Sequence, residues 1–264
     1  MRHLQFPHLP LVRLCSLLAM LLSSLTCAAQ LVEDFPITPY RPSVSSPAEL
    51  PVTGQLEMEL GGLSTRDDRQ RRHSLPYQLK LAFSPEWGVL MGGELMVLAN
   101  DGAGMVDRGL GDTTLVLKRA FIVNEDRAFG LEFAVKTPTA AKALGSGRAD
   151  YTINSIFSQD EAILHLDMNL NLTRLGVFEE GSSRWQTCTS ASLSAQLNER
   201  WDATAEWSGT RRSGSKAQGQ ALLAISYSPN KRLTMDIGVA KGLTTSSPGW
   251  SIFTGLVIPI AKIW

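Results

Sequence analysis

Ile163-Leu164-His165-Leu166-Asp167-Met168-Asn169-Leu170-Asn171-Leu172 is the stretch that decides the fold. Successive side chains of an extended strand point to opposite faces. Leu164, Leu166, Met168, Leu170 and Leu172 therefore share one apolar face, while His165, Asp167, Asn169 and Asn171 share a polar one. Such alternation predicts a strand that separates two different environments. In a soluble sandwich the polar face meets water; in a lipid-embedded barrel it lines an enclosed interior.

From Thr53 onward the same period recurs with turn residues between the runs, and no amphipathic helix interrupts it. Twelve strands are predicted, at 53–63, 74–84, 87–99, 110–121, 127–138, 148–158, 162–174, 184–198, 201–210, 217–228, 231–241 and 249–262. Most reach the roughly ten residues with which a tilted strand crosses a bilayer. Their connections alternate in length. Those at 84–87, 124–127, 159–161, 198–200 and 228–231 are tight, whereas 64–73, 100–109, 139–147, 175–183, 211–216 and 242–248 are mostly longer. An even-stranded barrel with both termini in the periplasm has this alternation, because every second connection lies outside the cell, where loops lengthen. Trp87, Tyr151, Trp201, Trp207, Tyr227 and Trp250 fall near expected strand ends, the level of lipid headgroups. The fold expected over 53–264 is all-β, a transmembrane antiparallel barrel of about twelve strands, surrounded by outer-membrane lipid.

Composition agrees with that expectation. The 264 residues are 44% hydrophobic and 19% charged, too polar for a bundle of membrane helices, and Lys+Arg equals Asp+Glu at 25 each, which gives no basic excess for nucleic acid. Residues 1–29 carry Arg2 and Arg13, an apolar run from Leu14 to Leu25, and small residues at Cys27 and Ala29, the pattern of a secretory signal peptide cleaved after Ala29. Without it the chain keeps 23 basic and 25 acidic residues, and Cys188 is left with no disulfide partner in the chain. Residues 30–52 form a Pro-rich extension with Pro36, Pro39, Pro42, Pro47 and Pro51. It reads more readily as a periplasmic tether than as a plug in the lumen, since a Pro-rich segment gains little from packing.

If the apolar faces meet lipid, the opposite faces project Glu57, Glu59, Lys80, Glu94, Asp112, Lys118, Glu132, Lys136, Asp150, His165, Asp167, Asp202, Glu206 and Asp236 into the lumen. That interior is net acidic, and its lysines must pair with neighbouring carboxylates, because a narrow interior penalises lone charges. Arg66, Arg69, Arg71 and Arg72 in one loop and Arg211, Arg212 and Lys216 in another are candidates to meet lipopolysaccharide phosphates outside. No metal site is expected, since only His73 and His165 remain after cleavage, far apart and without ligand spacing. A Ser-His hydrolase is the enzymatic alternative, with His73 beside Ser74 and His165 two residues from Asp167, but neither makes a triad.

Gly109-Leu-Gly-Asp-Thr-Thr-Leu-Val-Leu-Lys118, then Glu132-Phe-Ala-Val-Lys-Thr-Pro-Thr139 and Leu144-Gly-Ser-Gly-Arg-Ala-Asp-Tyr151, resemble the outer-membrane family named after the meta-pathway of phenol degradation. The match covers about 100–175, and its motifs appear in the family's order. The resemblance implies an outer-membrane transporter, distantly similar to long-chain fatty acid transporters, with a small hydrophobic or aromatic solute as its partner, no cofactor and no catalytic residues. The terminal aromatic Trp264 resembles the signal through which such barrels meet the barrel-assembly machinery, although Lys262 departs from it. The rival expectations are a structural barrel without transport and a soluble periplasmic β-rich binder. Lateral exit of an apolar solute, if any, would use a weak point such as Pro51–Leu63 or Gly130.

Overall fold

The structure, a computed structural model, describes residues 35–67, 70–100, 102 and 105–264. The signal peptide expected over 1–29 and residues 30–34 of the extension lie outside the described residues, as does Arg69.

Thirteen strands follow one another: β1 (Gln55–Arg66), β2 (Arg71–Ala82), β3 (Trp87–Asn100), β4 (Val106–Gly109), β5 (Thr113–Asn124), β6 (Arg127–Thr137), β7 (Asp150–Glu161), β8 (Leu164–Arg174), β9 (Trp185–Asn198), β10 (Trp201–Arg212), β11 (Gln218–Asn230), β12 (Leu233–Gly242) and β13 (Trp250–Lys262). All pairings are antiparallel, β1 pairs with β13, and β2 pairs with β3, so the sheet closes on itself. β4 and β5 are two halves of one stave. β5 pairs with Trp87–Gly92 of β3 and β4 with its far end, Val97–Asn100, which makes the barrel twelve-stranded. The stave is interrupted at 110–112, where Gly111 N donates to Glu94 O and a Cβ would lie 2.5 Å from Glu94 Oε2. Only glycine lets the chain come so close to that carboxylate. The strand expected over 110–121 is corrected accordingly.

The turns at 83–86, 125–126, 162–163, 199–200 and 231–232 gather at one end, called here the short-turn end, together with the C-terminus. The longer connections gather at the opposite, long-loop end. The loop expected over 64–73 shrinks to 67–70, because Ser64, Thr65 and Arg66 pair with His73, Arg72 and Arg71. Side chains there are polar on both faces, so hydrophobicity reads loop while the backbone ladder continues.

The barrel is inverted relative to a soluble fold. On β8, Leu164, Met168, Leu170 and Leu172 are exposed while Asp167 and Asn169 are buried. Leu223 and Ile237 are each 62% exposed, and an apolar exterior on this scale is a lipid-facing one. The Trp201 and Tyr227 rings stack with centroids 4.6 Å apart at the short-turn end, and Tyr151, Trp185 and Trp250 are exposed at the other. Trp207, expected at a strand end, lies midway along β10 with its ring against Gly209. β1 is hydrogen-bonded on both sides and Gly130 is packed against Ala48 and Ile156, so neither point suggested for lateral exit is open.

Candidate pore and its plug

Cross-strand neighbours on the inner face bring opposite charges together. Lys80 Nζ lies 2.7 Å from Glu59 and 3.1 Å from its register partner Glu57, all three being buried. Lys118 Nζ lies 3.3 Å from Glu132, again its register partner, and Lys136 lies 2.7 Å from Asp150 and 3.4 Å from Asp112. Glu94 receives two 2.6 Å hydrogen bonds from Arg72. His165 bridges Asp160 and Asp167 at 2.7 and 3.1 Å. Asp202 is half-buried on the face of β10 that carries Glu206.

Residues 36–50 run through this interior, which corrects the expectation of a tether. The segment enters at the short-turn end, where Lys262 Nζ sits over the Phe35 ring and Ile37 N donates to Lys231 O in the β11–β12 turn. Thr38 N then donates to Glu57 and Tyr40 N to Glu59. Val44 and Ser45 at the tip both donate to one Glu206 oxygen, at 2.8 and 3.1 Å. The chain turns back as Ser46 N donates to Asn169 and Ala48 N to Ser158, and leaves past Gly88 to start β1. Six backbone amides are thus satisfied by wall side chains rather than by a ladder. The prolines carry no N–H, so they reduce the number of donors that burial would strand. That is why a Pro-rich stretch suits this place.

Two plug side chains make the firmest contacts. The Tyr40 ring centroid lies 4.3 Å from Lys80 Nζ and 4.1 Å from Lys118 Nζ, both ammonium groups being buried. Burial raises its hydroxyl well above the ordinary tyrosine value, so it stays neutral, donating to Glu49 O at 2.6 Å and accepting from Lys118 Nζ. Arg41 forms a fork on Asp236 through Nε at 2.8 Å and Nη2 at 2.9 Å, and Nη2 also donates to Thr254 O. Gly61 and Gly255, paired across β1 and β13, leave the notch it occupies; a Cβ on Gly255 would lie 2.2 Å from Arg41 Nε. Glu49, on the return leg, has its carboxyl pushed above the ordinary range by burial. Its carboxylate lies with His165 and Asp167 in a group whose ligand atoms are all within 4.8 Å of one another, a set the sequence did not reveal.

Two cavities flank the plug. About 230 Å³ lies between Tyr40, Arg41, Ser43 and the β1–β2 wall at Glu59, Tyr77 and Gln78. About 240 Å³ lies above Val44, bounded by Cys188, Ser208, Thr210, Gln218 and Gln220. Both are smaller than the usual pocket for a drug-sized molecule.

Of the arginines expected outside, Arg72 points inward to Glu94, and Arg212 is held by Ser183 O at 2.7 Å and Glu179 at 3.1 Å; neither is free for phosphate. Arg66, Arg71, Arg211 and Lys216 are exposed at the long-loop end, Arg211 beside an exterior groove of about 490 Å³ that includes Trp207 and Leu243. His73 is exposed and Ser74 buried on opposite faces of β2, so they do not form a pair. In the chain Ser158–Asp167–His165 the carboxylate is in the middle, the wrong order for a nucleophile and its base. Sequence reasoning missed Tyr40, Arg41 and Glu49. The one sign of them was a large aromatic and a cation side by side in a leader of small residues.

No family model matches the chain, and neither does any curated protein. Solved structures do. An outer membrane channel from Pseudomonas putida F1 matches with a TM-score of 0.64 at 10% identity, covering 84% of this chain and 100% of that one. The NanC porin matches with a TM-score of 0.57 at 9% identity and the KdgM porin with 0.54 at 10%, each over 76% of this chain and 98% of the other. At these identities the shared property is the fold, that of outer-membrane barrels.

Proposed function

We propose that this chain is an outer-membrane channel for small solutes whose lumen is closed by residues 36–50 and opens when that segment shifts. The observation that carries the reading is the plug itself: it is held by single hydrogen bonds and ion pairs to the wall, not by strand pairing, so it can leave without breaking the barrel. The likeness to channels and porins supports the same role. Among the fourteen inward residues expected from the sequence, ten carboxylates stand against three lysines and one histidine, which favours neutral or cationic solutes over anions. The resemblance to the meta-pathway family makes small aromatic compounds the first class to try. With both termini in the periplasm, Arg66, Arg71, Arg211 and Lys216 would face the phosphates of the outer leaflet.

Ser43 Oγ and Ser192 Oγ are 3.0 Å apart, one on the plug and one on β9. A Ser43→Cys, Ser192→Cys pair in a Cys188→Ser background should form a disulfide that locks the plug. In liposome swelling the oxidised protein should pass less solute than the reduced one. If the reduced protein and a chain lacking 36–50 both pass nothing, the channel reading is wrong and a structural barrel takes its place.

A further inference from the structure

We propose that Glu49, His165 and Asp167 bind a divalent transition-metal ion of the zinc class, which clips the return leg of the plug to β8. The inference rests on the plug being docked as described, and it concerns a ligand other than the transported solute.

The donor set is one imidazole nitrogen and two carboxylates, ligand types that zinc accepts, and three protein donors leave a fourth position for water. Zinc bonds of about 2.0–2.1 Å in tetrahedral geometry place neighbouring ligand atoms about 3.3 Å apart. His165 Nε2 and Asp167 Oδ2 are 3.1 Å apart, and the whole set falls within 4.8 Å. Glu49 would have to close by up to about 1.5 Å to complete the tetrahedron.

The two wall ligands are already oriented. Asp160 Oδ1 lies 2.7 Å from His165 Nδ1, which fixes the ring and directs Nε2 into the group, the supporting arrangement typical of metal-bound histidines. Ser158 donates to Asp167 Oδ1, so that at Oδ2 the ion would replace only the hydrogen bond with His165 Nε2. Charge points the same way. Glu49, Asp160 and Asp167 are three carboxylates around one imidazole, and Glu49 makes no ion pair among the described residues. Lys118 is engaged with Glu132. A divalent ion balances this group better than a single proton on His165 does, and its binding would release any such proton. Access is short, because His165 is the second residue of β8, next to the turn at 162–163, and its side chain is partly exposed.

Glu49 belongs to the plug while His165 and Asp167 belong to the wall, so the ion would add a coordination bond to a closed state otherwise held by hydrogen bonds and ion pairs. The test is calorimetric titration of the purified full barrel, in detergent and freed of metal by chelator, with zinc chloride. Saturable binding of about one ion per chain is expected, weakened at least about a hundredfold by His165→Ala and about tenfold by Glu49→Gln or Asp160→Asn, and unchanged by His73→Ala. Heat-modifiable gel mobility checks that each variant is folded, and His165→Asn serves if the alanine variant is not. Absence of saturable binding overturns the proposal. So does binding that ignores Glu49→Gln, since the ion would then sit on the wall alone. The titration involves no permeation, so failure of the channel reading would not be mistaken for failure of the metal site.

Discussion

Arg41 and Tyr40 carry most of what is specific about the docking of residues 36–50 in the barrel. Asp236 is 1% exposed and its cationic partner is Arg41, so Arg41→Ala should cost about 3–5 kcal/mol by leaving a buried carboxylate uncompensated. Gly255→Ala should have the same sense of effect without touching either charge, because the new methyl takes the place of Arg41 Nε. Thermal or urea unfolding in detergent measures both. At Tyr40, loss of the hydroxyl alone in Tyr40→Phe should cost about 1 kcal/mol, and loss of the ring in Tyr40→Ala about 3 kcal/mol, since the ring packs against two buried lysine ammonium groups. The sequence places Glu57, Lys80, Lys118, Glu132 and Asp236 on one face of their strands by parity. It does not tell Asp236 from the others, because its partner is 195 residues away and enters from a segment without period.

At the level of elements, the plug and the strands obey different rules. A strand's amides are satisfied by its neighbours whatever its side chains are, whereas the plug's amides depend on particular acceptors. Glu206→Ala should therefore speed hydrogen exchange around Val44 and Ser45 while Thr38 and Tyr40 stay protected by Glu57 and Glu59. Peptide-resolved exchange in detergent would check it; uniform release of the whole segment would mean that it docks as one unit. The same rule explains why the strands run further than hydrophobicity predicts. Arg66, Arg71, Arg211 and Arg212 read as loop because they are charged, yet they lie on strands that extend past the apolar band.

For the whole molecule, the governing fact is that apolar side chains face out. Ile237, midway along β12 and 62% exposed, should cost about 2–4 kcal/mol when replaced by Lys, whereas Leu243, just past the long-loop end of the same strand, should cost about 0–1 kcal/mol. Urea titration in phospholipid vesicles, followed by tryptophan fluorescence, gives both values. Equal costs would place the two at one depth and contradict a membrane-spanning β12. The strand-rich barrel, its alternating connections and the set of inward charges are legible in the chain, because period two and turn residues are local properties. The break in the stave 106–124, the place of the Pro-rich leader inside the barrel and the pairing of its charges emerge with the folded sheet. Those depend on closure of the sheet, which surrounds a segment carrying no period of its own with acceptors drawn from strands far apart in the chain.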